Sequence, residues 1–361
     1  MATDKSVETS LDAAGTSARA TVARPAYNGL VMHQLRWNAV LSQWVVVSTH
    51  RQDRPQMPAD WCPFCPGSGR VPDHYDVYLY PNDFPAFSKD APPYEPYVQE
   101  KGLFASTGAR GACEVVLYSS DHKLTPSKLT LESWGKIVQL WAHRTRELAA
   151  VEDVSTVAVF ENCGEAIGVT MPHPHGQIYA MPFVPPLVQA ELRSSQNYAG
   201  GHGGACLFCD LLRGELDQQE RIVFANRSMV VFVPYAARFP SEVAIYPRRH
   251  VSSLLGLQDH EQADLAEAIS VARRKLDNLY GFVMPLMMSV RQKPFRNTGD
   301  APDAPYHLRV EMLPVQRSAT KLKYLASLET AYGTFLADTR PEEKAAELRK
   351  AEPATLAEAP G

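Results

Sequence analysis

The run Met171-Pro172-His173-Pro174-His175-Gly176-Gln177 sets two imidazoles two residues apart, each behind a proline, followed by a glycine and an amide. Such a pair can ligate a metal, or one ring can ligate while the other attacks. The choice depends on what other ligands the chain offers. Cysteines stand at 62, 65, 113, 163, 206 and 209, and four of them form the pairs Cys62/Cys65 and Cys206/Cys209. A Cys-x-x-Cys knuckle supplies two sulfur ligands from one turn, and tetrahedral zinc needs two more. His122 and His173 complete the first set, and His250 and His307 complete the second, in the same order along the chain. Two closed four-ligand zinc sites are therefore expected, both structural, because no coordination position stays open for water. The alternative is reduced, unligated cysteines in Pro/Gly turns. A redox dithiol is disfavoured, since neither pair reads as opening a helix after a strand. Cys113 and Cys163 read as small buried hydrophobes.

With His173 assigned to metal, His175 and Gln177 share its face of an extended strand. A neutral imidazole with one nitrogen hydrogen-bonded and the other free is a competent nucleophile toward phosphorus. Gln177 can donate an amide N–H to a phosphoryl oxygen but cannot act as a general acid, which suits a leaving group such as a sugar phosphate. Gly176 is expected to give a phosphate room for close approach. In the second half, His307-Leu308-Arg309-Val310-Glu311 has the same spacing, with arginine at the nucleophile's place. Catalysis is thus expected in the first half only.

These residues need strands and helices to place them. Leu35–His50 reads as two strands around a turn, followed by Pro/Gly-rich loops to about residue 97 of the kind that line sites. Residues 113–120 and 154–162 read as strands, as does 177–182, and 129–151 has helical periodicity. The second half repeats the plan, with a long helix expected at 259–281, a duplication signal. The fold class is α+β, with two half-domains joined near residues 195–205. The expected bounds are 29–198 and 199–340, flanked by a disordered tail at 1–28 and a C-terminal tail at 341–361.

The 361 residues are 45% hydrophobic and 21% charged with a net charge of −4, an ordinary globular balance. That charge gives no basic surface to argue for a nucleic-acid partner. No apolar run approaches the roughly 18 residues of a membrane span. The Ala/Ser/Thr-rich N-terminus lacks the apolar core of a signal peptide, so a cytoplasmic location is expected.

PHPHGQ, with the strand VFEN upstream, resembles the galactose-1-phosphate uridylyltransferase family, the transferase branch of the histidine-triad superfamily. HRQDRP (50–55), CPFC, NDFPAF (82–87), SSDH (119–122), FENCGEAIGVT (160–170) and RSATKLKYLASLE (317–329) carry the resemblance across roughly residues 30 to 340. It implies two tandem histidine-triad-like half-domains, each an antiparallel sheet with packed helices. It implies a double displacement in which His175 takes UMP from UDP-glucose and passes it to galactose 1-phosphate. Arg51 and Arg54 match phosphate-contacting arginines, and Asn82, Asp83 and Phe84 match the segment that holds uracil and ribose. Asn162, Gly168, Thr170 and Gln177 match phosphate-side contacts. Lys323, Tyr324 and Glu329 match a sugar-phosphate segment that the family shares between the subunits of a homodimer. A second metal, held in some members by a glutamate and three histidines, is not expected, since Glu191 remains but Arg291, Arg309 and Glu311 stand at the histidine positions. A related phosphorylase or adenylyl-specific enzyme, a different acceptor sugar 1-phosphate, and a zinc-stabilised binding module without turnover are the other readings.

Overall fold

The computed structural model describes residues 33–54, 61–299 and 301–351. The expected tail at 1–28 and the last residues of the C-terminal one lie outside that set. The first half builds β1 (His33–Asn38), β2 (Gln43–Ser48), β3 (Tyr78–Pro81), β4 (Ser106–Gly108), β5 (Ala112–Leu117), α1 (Leu131–Ala149), β6 (Thr156–Cys163) and β7 (His175–Met181). Then come α2 (Pro186–Gly201), α3 (Leu207–Gln218), β8 (Ile222–Ala225), β9 (Met229–Phe232), β10 (Val243–Pro247), α4 (Asp259–Tyr280), β11 (Leu286–Arg291) and β12 (Arg309–Pro314). A short pair, β13 (Gln316–Ser318) and β14 (Lys321–Leu322), precedes α5 (Ser327–Tyr332) and α6 (Pro341–Lys350).

The two halves fuse through their sheets. One nine-stranded sheet runs β3-β5-β7-β6-β11-β12-β10-β9-β8, and every ladder in it is antiparallel. The join is β6 against β11, from Leu286 opposite Cys163 to Val290 opposite Val159. Each half's block ends in a strand whose open backbone edge needs a partner, and the other half supplies it. Strand order mirrors about this join, so β7 and β12 occupy matching places. His175 opens β7 and Arg309 opens β12.

Strand alternation sorts the side chains. Val116, Val157, Val159, Ile178 and Ala180 face α1 and α4 in the main core. The opposite face of the first half carries Val115 and Leu117 against Phe64, Tyr80 and Met171. There the period-2 rule also places His175, Gln177 and Tyr179. In the second half α2 and α3 cover that opposite face, with Val188, Leu192, Phe208 and Leu212 packed on Val230, Phe232 and Tyr246. The joint expected near 195–205 therefore begins inside a helix. Val188, Leu192, Ser195 and Ala199 are buried at helical spacing, and α2 runs on to Gly201. Helix α3 was not expected either, although Phe208, Leu212 and Glu215 form a buried stripe.

Candidate active site and metal centres

Cys62 and Cys65 lie on a tight turn closed by the Cys65 N–H bonding the Cys62 carbonyl at 3.4 Å. His122 follows β5 in a loop, and His173 precedes β7 rather than lying in it. Cys65 Sγ is 3.4 Å from His122 Nδ1 and 3.8 Å from His173 Nδ1, and Cys62 Sγ is 3.7 Å from His173 Nδ1. All four ligand atoms fall within 4.8 Å of one another. A tetrahedral zinc with Zn–S near 2.3 Å and Zn–N near 2.0 Å sets sulfur and nitrogen roughly 3.5 Å apart, so this donor set fits. The His173 Nε2–H donates to the Ser119 carbonyl at 2.7 Å, with the Tyr75 hydroxyl 3.0 Å from the same nitrogen. That bond leaves Nδ1 as the ligand atom and fixes the ring. Burial lowers the His173 pKa to about 4, which keeps the ring neutral as a ligand must be.

The second set repeats the arrangement. Cys209 Sγ is 3.2 Å from His250 Nδ1 and 3.4 Å from His307 Nδ1, and Cys206 completes a group within 4.8 Å. His307 Nε2 is held by the Pro247 carbonyl at 2.9 Å, and burial brings its pKa to about 4. Here the cysteines do open a helix, with Cys206 as the N-cap of α3, although α3 follows α2 and not a strand. Burial, then the neighbouring Cys206, pushes the Cys209 thiol up to about 12, and burial pushes Cys62 up to about 11. Grouped thiols of this kind become thiolates when a divalent cation displaces their protons.

His175 borders a cavity of about 210 Å³. Its Nδ1–H donates to the His173 carbonyl at 2.7 Å, which leaves Nε2 with a free lone pair. Burial, opposed by that backbone bond and aided by Arg54, holds the imidazole below its ordinary pKa, in the neutral form a nucleophile needs. Gln177, Thr170 and Arg54 share the cavity, and Arg54 Nη2 donates to Thr170 Oγ1 at 3.1 Å. Asn82, Asp83 and Phe84 also line its wall. Asn82 Oδ1 accepts the Phe84 N–H at 2.9 Å, and Asp83 accepts from the Tyr80 hydroxyl at 3.0 Å and from Arg70 at 2.9 Å.

Other expected residues sit elsewhere. Arg51 is not among the residues that border this cavity; its Nη1 donates to the Phe84 carbonyl at 2.8 Å, so it braces that wall. Asn162 borders an adjoining cavity of about 180 Å³ with His173 and His175. Gly168 ends a helical turn at φ +76, and its neighbours Val169 and Thr170 reach the cavities instead. Lys323 is buried in an ion pair with Glu329 at 3.1 Å and also donates to the Leu336 carbonyl at 2.7 Å. Tyr324 is 74% exposed. None of these three borders either cavity. The room at Gly176 does not serve a phosphate: a Cβ there would overlap the Tyr118 hydroxyl, on the face opposite His175.

Trp61, Pro63, Phe64, Arg70, Tyr80, Val115 and Met171 complete the cavity, and none of them is among the expected site residues. Phe64 could have been read from its place inside the first knuckle, where its ring centroid comes 5.8 Å from that of His175. The loop residues Trp61 and Arg70 leave no such periodic signal.

The model of the galactose-1-phosphate uridyl transferase N-terminal domain matches residues 25–185, and that of the C-terminal domain matches residues 191–359. The chain belongs to this family. A galactose-1-phosphate uridylyltransferase of Thermotoga maritima is 38% identical over 89% of this chain and 99% of its own length. One from Haemophilus influenzae is 35% identical over 87% of this chain and 93% of its own. A solved uridylyltransferase structure superposes with a TM-score of 0.78 at 36% identity, covering 88% of this chain and 98% of that one. An Arabidopsis thaliana ADP-glucose phosphorylase, at 24% identity and TM-score 0.67, shares the fold. Among the described residues no helix is long and apolar enough to cross a membrane.

Within this transferase chain the second copy of the site is filled by its own side chains. Arg309 Nη2 lies 2.6 Å from Glu191 Oε1, and Arg309 Nε lies 2.9 Å from Glu311 Oε1. Arg291 pairs with the other Glu311 oxygen at 3.1 Å. The Arg309 guanidinium stacks 4.9 Å from the Phe208 ring, and Tyr306 donates to Glu191. At the place matching His175 there is a neutralised cation, which cannot act as a nucleophile.

Proposed function

We propose that the chain is a UDP-glucose–hexose-1-phosphate uridylyltransferase that works through a covalent uridylyl-histidine, with galactose 1-phosphate as acceptor. His175 Nε2 forms a bond to the α-phosphorus of UDP-glucose as the P–O bond to glucose 1-phosphate breaks, and the leaving phosphate departs as an anion without needing a proton. A phosphate oxygen of galactose 1-phosphate then attacks the same phosphorus, the P–N bond breaks, and UDP-galactose leaves with His175 restored. The observation that carries this reading is the Nδ1–H bond from His175 to the His173 carbonyl, which leaves Nε2 free at the edge of a cavity. Gln177, Thr170 and Arg54 are suited to hold the phosphoryl oxygens, with Asn162 on the adjoining side. Asn82, Asp83 and Phe84 offer an amide, a carboxylate and a ring to the uridine, and Arg51 steadies them through Phe84.

Zinc in both Cys-Cys-His-His sets would cross-link loops and strand ends without taking part in transfer, and the ligand chemistry supports this. The exposed Tyr324 would contact sugar phosphate across the interface of a homodimer, with the buried Lys323–Glu329 ion pair holding its segment in place. Half-domain bounds at 29–198 and 199–340 and a reducing, cytoplasmic setting complete the reading; the six cysteines are free thiols. The test is mass spectrometry after UDP-glucose treatment. A uridylyl mass shift on the wild-type chain and its absence in His175→Ala are expected, and an adduct that persists in the variant sinks the assignment. Burst release of sugar phosphate from UDP-glucose and not from ADP-glucose fixes the donor.

A further inference from the structure

Beneath the nucleophile strand, on the face away from the cavity, lies a polar cluster that the transfer reaction as described does not use. Tyr118 follows β5 directly, and its N–H bonds the Pro174 carbonyl at 3.0 Å, inside the PHPHGQ run. Its ring packs 5.6 Å from Trp134 and 6.4 Å from Trp141 of α1. Its hydroxyl presses on Gly176, with the ring carbon Cζ only 3.0 Å from where a Cβ would stand. Burial, then the Glu161 carboxylate facing it, raises the Tyr118 pKa well above the ordinary value, so the hydroxyl keeps its proton. Glu161 is on β6, beside β7, and also borders the cavity adjoining His175. Its Oε1 is 3.2 Å from Nη2 of Arg273, which comes from α4 in the second half; both side chains are fully buried, at 1% and 0% exposure.

This pair is a poor way to gain stability. Two desolvated charges seldom outperform well-packed apolar residues of the same volume. Here the three guanidinium nitrogens, both Glu161 oxygens and the Tyr118 hydroxyl are all buried without a hydrogen-bond partner, so they meet as charges and a dipole and not through aligned bonds. What the cluster does supply is a fixed stop behind one strand. Tyr118 ties the end of β5 to α1, the Glu161–Arg273 pair ties β6 to α4, and the Tyr118 hydroxyl meets the backbone between His175 and Gln177.

We propose that Tyr118, Glu161 and Arg273 form a positioning unit for the nucleophile, through which the second half, whose own site is filled, sets the attack geometry in the first. Arg273 holds Glu161 by charge, the Glu161 carboxylate acts on the Tyr118 hydroxyl through its field and not through an aligned bond, and the hydroxyl backs the Gly176 backbone and so the line along which His175 Nε2 approaches phosphorus. Loss of the unit lets the strand shift by a fraction of an ångström, which attack geometry feels more than binding does. The inference rests on uridylyl transfer by His175.

The test uses the full-length chain, with Tyr118→Phe and the neutral pair Glu161→Gln/Arg273→Met. Neither variant strands Glu161 or Arg273 as a lone buried charge, and the buried Asp277, which also faces Arg273, keeps the Met284 N–H at 2.8 Å, so both variants are expected to fold and to keep their zinc. Single-turnover release of glucose 1-phosphate from UDP-glucose should slow by at least about tenfold in both, with half-saturation by UDP-glucose within about twofold of wild type. Arg273→Lys, which keeps the charge, should recover part of the rate. Folded variants that react at the wild-type rate overturn the proposal. So does a rate loss that tracks only a lowered melting temperature or weakened UDP-glucose binding. A wild-type chain that shows no burst overturns the transfer reading itself and this inference with it; a wild-type burst with unaffected variants overturns this inference alone.

Discussion

His175 donates its Nδ1–H to the carbonyl oxygen of His173 at 2.7 Å, so a residue of the first Cys-Cys-His-His set also sets the tautomer of its neighbour two positions on. The His173 ring is held at Nε2 by Ser119 and faces Cys62 and Cys65 with Nδ1. Its backbone is thereby fixed, and with it the acceptor for His175. The first Cys-Cys-His-His set thus lies one backbone hydrogen bond from His175.

His173→Ala is therefore expected to lose the first zinc and to slow uridylyl-enzyme formation although His175 is intact. Disturbing the shell that orients a functional group commonly costs about 10–100-fold. Metal analysis alongside burst kinetics checks it. Wild-type burst rates in a chain lacking that metal would show that the two histidines are independent.

Gly176→Ala should destabilise the chain by about 1–3 kcal/mol, because its methyl group meets the Tyr118 hydroxyl in a packed core. Tyr118→Phe in the same chain should recover part of that loss. Recovery stays partial because ring carbon Cζ would still sit 3.0 Å from the new methyl. A double-mutant cycle by urea unfolding measures the coupling, and additive effects would place the overlap elsewhere.

The glycine also marks what was legible in the sequence. The ligand sets Cys62/Cys65/His122/His173 and Cys206/Cys209/His250/His307 could be read because metal chemistry restricts both residue type and order, and the structure gathers each set. α1, α4 and most strands could be read because their periods are 3.6 and 2. Gly176 was misread because a sequence shows that a glycine is needed but not which face of the strand is crowded. The fusion of two sheets through β6 and β11 was not legible, since edge pairing between distant strands leaves no local pattern. Arg70 and Trp61 reach the cavity from an irregular loop, where no periodicity assigns a face.

Cys209→Ser should lower zinc from about two to about one per chain, leaving the first set loaded. A site that binds only the folded chain, at free metal a thousand times its dissociation constant, contributes about 4 kcal/mol. A fall in stability of that order is expected by urea unfolding in zinc-buffered solution. Two zinc atoms retained in the variant would mean that Cys209 is not a ligand.

Glu311 gives a prediction whose sign depends on pH. Burial pushes its carboxyl up, but Arg309, then Arg291 and Arg238, outweigh burial and bring it down from the usual 4.5 to about 2. A carboxyl depressed on folding stabilises the native state above its unfolded pKa, and the contribution is lost as pH falls through the folded value. Its effect should be complete above pH 4.5 and fade between 4.5 and about 2. Glu311→Gln leaves Arg309 and Arg291 with one carboxylate fewer in a buried site, at a cost of about 3–5 kcal/mol near neutral pH. The gap between wild type and variant should narrow as the medium is acidified below 4.5, for as long as both remain folded. Urea unfolding at stepped pH measures this gap, and a gap that stays constant down to pH 3 would mean that the three arginines do not hold the carboxylate ionised.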